Sequence, residues 1–235
     1  MKRRYVWKER IKTVLQKLNF RIVRNVESVM DSRHVDVVFD VGANIGQFAK
    51  KLRISGYTGE IYSFEPLEAE HMLLTKSALG DKNWTVVNRC AVGSTSGHVD
   101  IRVSKNSYSS SILEINQRHI KADPTSQVVD IQQVQIITLD GFTKDVNLHQ
   151  KKVWLKIDTQ GFEYEVLLGA KETLPKVDYV QVEMSIEELY EGQKSFIEII
   201  EYLEKFGFKL WNLEKGFCDH KTGQLMQFDG FFLRK

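Results

Sequence analysis

From residue 35 onward, apolar runs of strand length alternate with stretches whose apolar residues recur at helical spacing. "DVVFDV" (36–41) predicts a strand, and "QFAKKLRIS" (47–55) a helix with Phe48, Ala49 and Leu52 on one face and Gly56 as its stop. "EIYSFEP" (60–66) predicts a second strand, whose Pro66 can open a helix over 67–79 closed by Gly80. "TVVNRCAV" (85–92) predicts a third strand. Strand, helix, strand, helix, strand is the order of an α/β fold with a parallel, doubly wound sheet and right-handed crossovers.

The alternation lapses over 93–140. Two antiparallel strands, "HVDIRVS" (98–104) and "VQIITLD" (134–140), are expected there around the polar stretch 105–127, which shows few strong helix or strand signals. A connection that long in a compact domain is usually functional, and it reads as a lid inserted after the third strand. The alternation resumes with "KVWLKIDTQG" (152–161), a helix over 163–170, and "VDYVQVEMS" (177–185). Ser195 and Glu198 then form a capping box for a helix buried through Phe196, Ile199, Ile200 and Leu203 and closed by Gly207. The last strands fall at 208–214 and 228–235, so the main sheet is expected to have seven. The predicted organisation is an extension over 1–34 and one domain over 35–235.

Composition supports a folded domain: 42 % of the 235 residues are hydrophobic, 27 % are charged, and there are three prolines. No apolar run reaches transmembrane length, and "MKRRYVWKER" lacks the apolar core of a signal peptide, so a cytoplasmic protein is expected. Cys90 and Cys218 form no CxxC pair, and the histidines show no metal-ligand spacing.

The formal charge of +2 hides an asymmetry. Residues 1–24 carry nine Lys or Arg against one Glu, which leaves the remainder at −6. Trp7, Ile11, Val14, Leu15, Leu18 and Ile22 recur there at helical spacing, predicting a basic amphipathic helix. Such a helix can dock on the main domain by its apolar stripe, or lie on the anionic inner face of a membrane or against a glycan-assembly complex working there. Nucleic acid is the weakest of its partners, because no recognition motif accompanies the basic stripe.

In open α/β sheets ligands bind beyond the carboxyl ends of the strands. Those ends read Asp40–Val41–Gly42–Ala43–Asn44, Glu65–Pro66, Asn88–Arg89–Cys90–Ala91, Asp158–Thr159–Gln160–Gly161 and Glu183. A dinucleotide site would want G-x-G-x-x-G, but the middle position is Asn44, and Asp40 stands before the first glycine. Negative charge there disfavours a diphosphate and suits a ligand with a cationic end. S-adenosylmethionine fits: Gly42 and Gly46 let the backbone approach its methionyl part, Asp40 can attract its positive charges, and Glu65 can accept from two ribose hydroxyls. Gly46 can equally serve helix packing, and Glu65 can simply cap the helix after Pro66.

"FDVGANIGQF", "FEP", "SYSSSIL", "LKIDTQGFEYEVLLGA", "VEMSIEELYEGQ" and "QLMQFDGFFLRK" together resemble the FkbM family of methyltransferases from about residue 35 to the C-terminus. The resemblance implies a Rossmann-like, class I, S-adenosylmethionine-dependent methyltransferase, usually acting on a sugar or polyketide hydroxyl, with many members tailoring surface polysaccharides. It places the cofactor loop on Asp40, Gly42, Asn44 and Gly46, the ribose acid on Glu65, and the lid serines on Ser109, Ser110 and Ser111. The family's commoner form has Glu where this chain has Gln160, which questions a charged role at that position.

Methyl transfer to a neutral hydroxyl gains from a base that takes its proton. Asp158, ending the fourth strand, is the first candidate, with helix capping as its structural alternative. His119 in the lid is the second. Glu183 can orient the acceptor, and Tyr190 can wall a sugar face. Asp140, Asp158 and Glu183 could together hold a Mg²⁺ that acidifies the hydroxyl. Two rival functions stand beside this one. A nucleic-acid base methyltransferase would want an Asn-Pro-Pro-Tyr-type motif or a Pro-Cys nucleophile, and the sequence has neither. A non-catalytic, cofactor-binding module would dock through the basic helix.

Overall fold

The structure, a computed structural model, describes residues 35–235, so the expected basic helix within 1–34 lies outside the described residues. The main sheet contains β1 (Val37–Val41), β2 (Glu60–Phe64), β3 (Trp84–Val86), β7 (Val153–Ile157), β8 (Tyr179–Ser185), β9 (Phe208–Lys215) and β10 (Gln227–Arg234). Between β3 and β7 lie β4 (Ala91–Val92), β5 (Gly97–Ser104) and β6 (Val128–Ile137). The helices are α1 (Gln47–Ile54), α2 (Glu68–Ala78), α3 (Gln117–Ala122), α4 (Leu139–Thr143), α5 (Glu163–Leu168) and α6 (Phe196–Lys205).

The seven strands are ordered β3-β2-β1-β7-β8-β10-β9. They are parallel from β3 to β8, and β10 is antiparallel to both its neighbours. The strand order reverses between β1 and β7, which places a switch point where their carboxyl ends diverge. Both strands are buried along their whole length, because helices cover both faces of a parallel sheet. Asp40 and Lys156 are the only charged residues in these two strands, and they are direct partners in the β1–β7 register. The α6 capping box is present, with Ser195 accepting from the Glu198 amide and Glu198 from the Ser195 amide.

Two expectations about the middle of the chain need correction. The stretch 85–92 is not one strand. Trp84–Val86 ends the main sheet, where the Trp84 indole donates to Ser63 Oγ at 3.0 Å. After Asn88–Arg89, Ala91–Val92 joins a separate three-stranded sheet of order β4-β6-β5. That sheet has its own apolar cluster of Leu67, Ala91, Ile101, Val134 and Ile136. The expected strand over 134–140 begins earlier, at Val128, and ends at Ile137, because the Thr138 side chain accepts from the Gly141 amide and caps α4. The insertion is therefore a small, hydrogen-bonded sheet with a loop carrying α3.

Candidate active site

A cavity of about 230 Å³ opens beyond the carboxyl ends of β1, β2, β7 and β8. Its wall includes Gly42, Asn44, Gln47, Phe64–Leu67, Cys90–Val92, Asp158–Gln160 and Glu183, with Ile101, Ser107, Tyr108, Ser110 and Ile112 from the insertion.

The β1 turn shapes one side. Gly42 has φ 77°, and a Cβ built there would lie 1.8 Å from the Asp158 carbonyl oxygen, so the β1 and β7 ends cross where only glycine fits. The following residue, Ala43, is buried and lies off the wall, as does Gly46. A Cβ on Gly46 would meet Leu74 and Trp84 at 2.9 Å, so Gly46 serves helix packing. The Asn44 amide donates to Glu65 Oε2 at 2.7 Å, and the Leu67 amide donates to Oε1 at 2.9 Å. This grip fixes the Glu65 carboxyl at the wall. Burial pushes its pKa up to about 7, against the lowering effect of the two amides. Burial pushes the neighbouring Cys90 thiol up to about 12, which keeps it neutral and suits it to an apolar wall.

Asp40 does not face the cavity; it is fully buried. The Lys156 ammonium lies 3.3 Å from Asp40 and 3.4 Å from Asp158, and donates to the Gly42 carbonyl at 3.1 Å. Burial opposes the lysine's charge, but Asp158, Asp40 and Asp229 outweigh it and raise its pKa. Asp40 is accordingly the counter-ion of Lys156 and not a ligand contact. Lys156 does not stand at a strand end, yet a lysine within "VWLKI" is itself a sequence signal: a strand buried on both faces must supply an ammonium with a carboxylate.

Asp158 keeps its side chain 35 % exposed on the wall. Gln160 Nε2 donates to Asp158 Oδ1 at 2.9 Å and to Glu183 Oε2 at 2.7 Å. The Tyr190 hydroxyl lies 2.7 Å from Gln160 Oε1 and 3.2 Å from the Ser109 carbonyl. Gln227 adds a second amide to Glu183 Oε2 at 2.8 Å. Burial, with Asp158, Glu163 and Asp229 nearby, raises the pKa of Glu183 well above the usual carboxylate range. The turn amides of Thr159 and Gly161 go to Glu163, not to Asp158, which leaves Asp158 free of the capping role.

Several expected groups sit elsewhere. His119 is off the wall, 2 % exposed, packed against the rings of Tyr190 and Phe217, with Ser109 Oγ 3.5 Å from its Nε2. Burial lowers its pKa to about 4. A ring so enclosed cannot reach an acceptor, so His119 is corrected to a packing residue. Tyr190 is likewise fully buried and walls no ligand; its ring lies behind Gln160. Of the three serines only Ser110 lines the cavity, and its hydroxyl is bonded to the Ser104 amide. Ser109 Oγ accepts from Asn106, and Ser111 Oγ donates to the Gln160 carbonyl at 2.7 Å, so both brace the insertion. The three acids considered for Mg²⁺ do not converge. Asp140 accepts from the Glu172 and Thr173 amides and the Thr173 hydroxyl, while Asp158 and Glu183 meet through Gln160.

The wall fits S-adenosylmethionine on three counts. Glu65 offers a fixed carboxyl to vicinal hydroxyls, Phe64, Leu67, Ala91 and Val92 offer apolar surface to a flat base, and Gly42 admits close backbone approach. In addition Gln47 Oε1 is buried without a hydrogen-bond partner among the described residues, an acceptor that a ligand ammonium would satisfy.

The family described as "Methyltransferase FkbM domain" matches residues 40–210. A 2-O-methyltransferase, NoeI, of Sinorhizobium fredii is 23 % identical over 195 residues, covering 80 % of this chain and 79 % of that protein. Among solved structures, a TehB-like SAM-dependent methyltransferase from Corynebacterium glutamicum aligns with 98 % of this chain and 97 % of its own, at 11 % identity and a TM-score of 0.42. Magnesium protoporphyrin IX methyltransferase from Synechocystis, solved with bound SAM, aligns with 88 % and 74 %, at 11 % identity and a TM-score of 0.45. With the family match spanning the glycine turn after β1, the Asp158 strand end and Glu183, the chain belongs to the FkbM methyltransferase family and is an S-adenosylmethionine-dependent methyltransferase.

Proposed function

We propose that this enzyme methylates a hydroxyl of a sugar, glycan or related natural product. The observation that carries the reading is the pair of cavity acids, Asp158 and Glu183, held by a single Gln160 amide beside a wall suited to the cofactor. NoeI, the curated relative, is a 2-O-methyltransferase, which supports oxygen as the accepting atom.

Bound S-adenosylmethionine supplies an electrophilic methyl group. Glu65, Gly42, Gln47 and the apolar wall around Cys90 and Ala91 hold it. Pro66 begins the segment that carries Leu67 to the same wall. Asp158 takes the proton of the acceptor hydroxyl; its position is fixed by Lys156 and Gln160 and its partial exposure leaves it reachable. Such a base contributes about 10²–10⁴-fold, and holding the acceptor in line contributes more. Glu183, buried and able to hold a proton, orients the acceptor through hydrogen bonds. Among the described residues no helix is long and apolar enough to cross a membrane. The basic segment 1–24 would bring a cytoplasmic enzyme to an anionic membrane face where glycans are assembled.

The test is S-adenosylhomocysteine release across a panel of methyl glycosides, nucleotide sugars and phenols, with and without EDTA. Turnover on a sugar hydroxyl is expected. Turnover confined to phenols or nucleic-acid bases, or cofactor binding without turnover on any acceptor, would refute the reading.

A further inference from the structure

A pyranose presents two kinds of surface: hydroxyls around its edge, and weakly positive C–H bonds on its faces. A site selective for it needs polar planar side chains for the first and an aromatic face, with its negative quadrupole, for the second. The cavity has the polar groups in Asp158, Gln160 and Glu183. With Tyr190 buried, the aromatic face must come from another residue.

Tyr108 lines the same cavity and is 58 % exposed. Its ring makes no aromatic pair or hydrogen bond of the fold among the described residues. The turn that carries it, by contrast, is tightly held. The Ser107 amide donates to the Ser104 carbonyl at 3.0 Å and the Ser110 amide to the Ser107 carbonyl at 3.1 Å, with Ser107 at φ 54°. Asn106 pins the turn from within: its two Nδ2 hydrogens are shared among Ser109 Oγ, Asp123 Oδ2 and Thr125 Oγ1, each 3.1 Å away, and Oδ1 accepts from the Ser109 amide at 2.9 Å. A rigid turn presenting an exposed ring at a cavity wall is pre-organised for a ligand.

We propose that Tyr108 is the platform on which the C–H face of the acceptor pyranoside stacks, and that it determines selectivity for a sugar ring. The inference rests on the sugar-hydroxyl reading above. A planar phenol or catechol could stack equally well, but its one or two hydroxyls would leave more of the Asp158, Gln160 and Glu183 polar groups unanswered than the several hydroxyls of a pyranoside.

The experiment compares full-length wild type, Tyr108→Phe and Tyr108→Ala on the methyl pyranosides that wild type methylates, with catechol as the planar comparator. Tyr108→Phe should keep the wild-type KM. Tyr108→Ala should raise the pyranoside KM about tenfold, with kcat and the calorimetric Kd for S-adenosylmethionine unchanged. An unchanged pyranoside KM in Tyr108→Ala overturns the platform while leaving the sugar reading intact. Loss of cofactor affinity in Tyr108→Ala also overturns it, by placing Tyr108 in the donor site. Wild type that methylates catechol but no pyranoside overturns the sugar reading, and the platform falls with it.

Discussion

Glu65→Gln isolates the energetic consequence of placing a buried carboxyl at the cofactor wall. The Glu65 proton that the unfolded chain releases at about 4.5 is held in the fold to about 7. Well below the lower value both states are protonated and the group does not discriminate between them. Between the two values the native state keeps a proton that the unfolded chain has lost, so stability falls as pH rises and stays lowered above 7. The gap corresponds to about 3 kcal/mol. Glutamine carries no such penalty. It does place an NH₂ against one of the amides of Asn44 and Leu67, which costs a constant amount. The test is therefore not the offset between the two proteins but its change with pH. Chemical denaturation without cofactor, from about pH 5 to about pH 8, should show Glu65→Gln gaining on wild type by about 2.5 kcal/mol, the part of the gap that falls inside this window. Wild type shares part of its slope with Glu163, held at about 7, and Asp229, held at about 6, but both remain in the variant and cancel. Ribose hydroxyls held by Glu65 would donate to its ionised form, so on that reading wild-type affinity for S-adenosylmethionine should tighten through the same range and the variant's should not. A pH-independent offset together with a pH-independent affinity would refute the reasoning.

Gly42→Ala should cost about 1–2 kcal/mol from left-handed backbone alone, more from the Asp158 contact, and should abolish cofactor binding; thermal melting and calorimetry read both. Asp158→Ala should keep near-normal cofactor affinity and lose about 10²–10⁴ in kcat, whereas His119→Phe should turn over like wild type; the reverse pattern would return the base to the histidine. Lys156→Met leaves Asp40 buried without its cation and should destabilise by about 3–5 kcal/mol. Adding Asp40→Asn should recover part of that loss in urea denaturation, and no recovery would show that the lysine is held by other groups.

What the sequence revealed was decided locally. The α6 capping box and stripe, the glycine turn after β1 and the acids at the strand ends each follow from a few adjacent residues. What it hid depends on partners far along the chain. Nothing within "TVVNRCAV" shows that Thr85 and Val86 pair with Tyr62 and Ser63 in one sheet while Ala91 and Val92 pair with Ile136 and Ile137 of another. His119 lies in a polar stretch and reads as exposed, yet Tyr190 and Phe217 close over it. Tyr190 looks like a sugar wall until Gln160 stands before it. The charge of Asp40 is evident in the sequence, but it answers Lys156 on the neighbouring strand and not a ligand.

The two halves of the cavity are held by different means, and this determines how each can vary. On the side proposed for the methyl donor, Gly42 and Glu65 are held by main chain: Gly42 has no room for a Cβ, and both Glu65 oxygens are bonded to amides. A substitution there disturbs the sheet crossing and the cofactor together. On the side proposed for the acceptor the groups are side chains bonded to one another, Asp158 and Glu183 through Gln160, and a turn whose Asn106 bonds stay within the insertion. Ser111 ties that turn to the Gln160 carbonyl, not to any group of the donor wall. On the proposed reading, the turn around Tyr108 is where acceptor selectivity would change at little cost to folding or to methyl-donor binding.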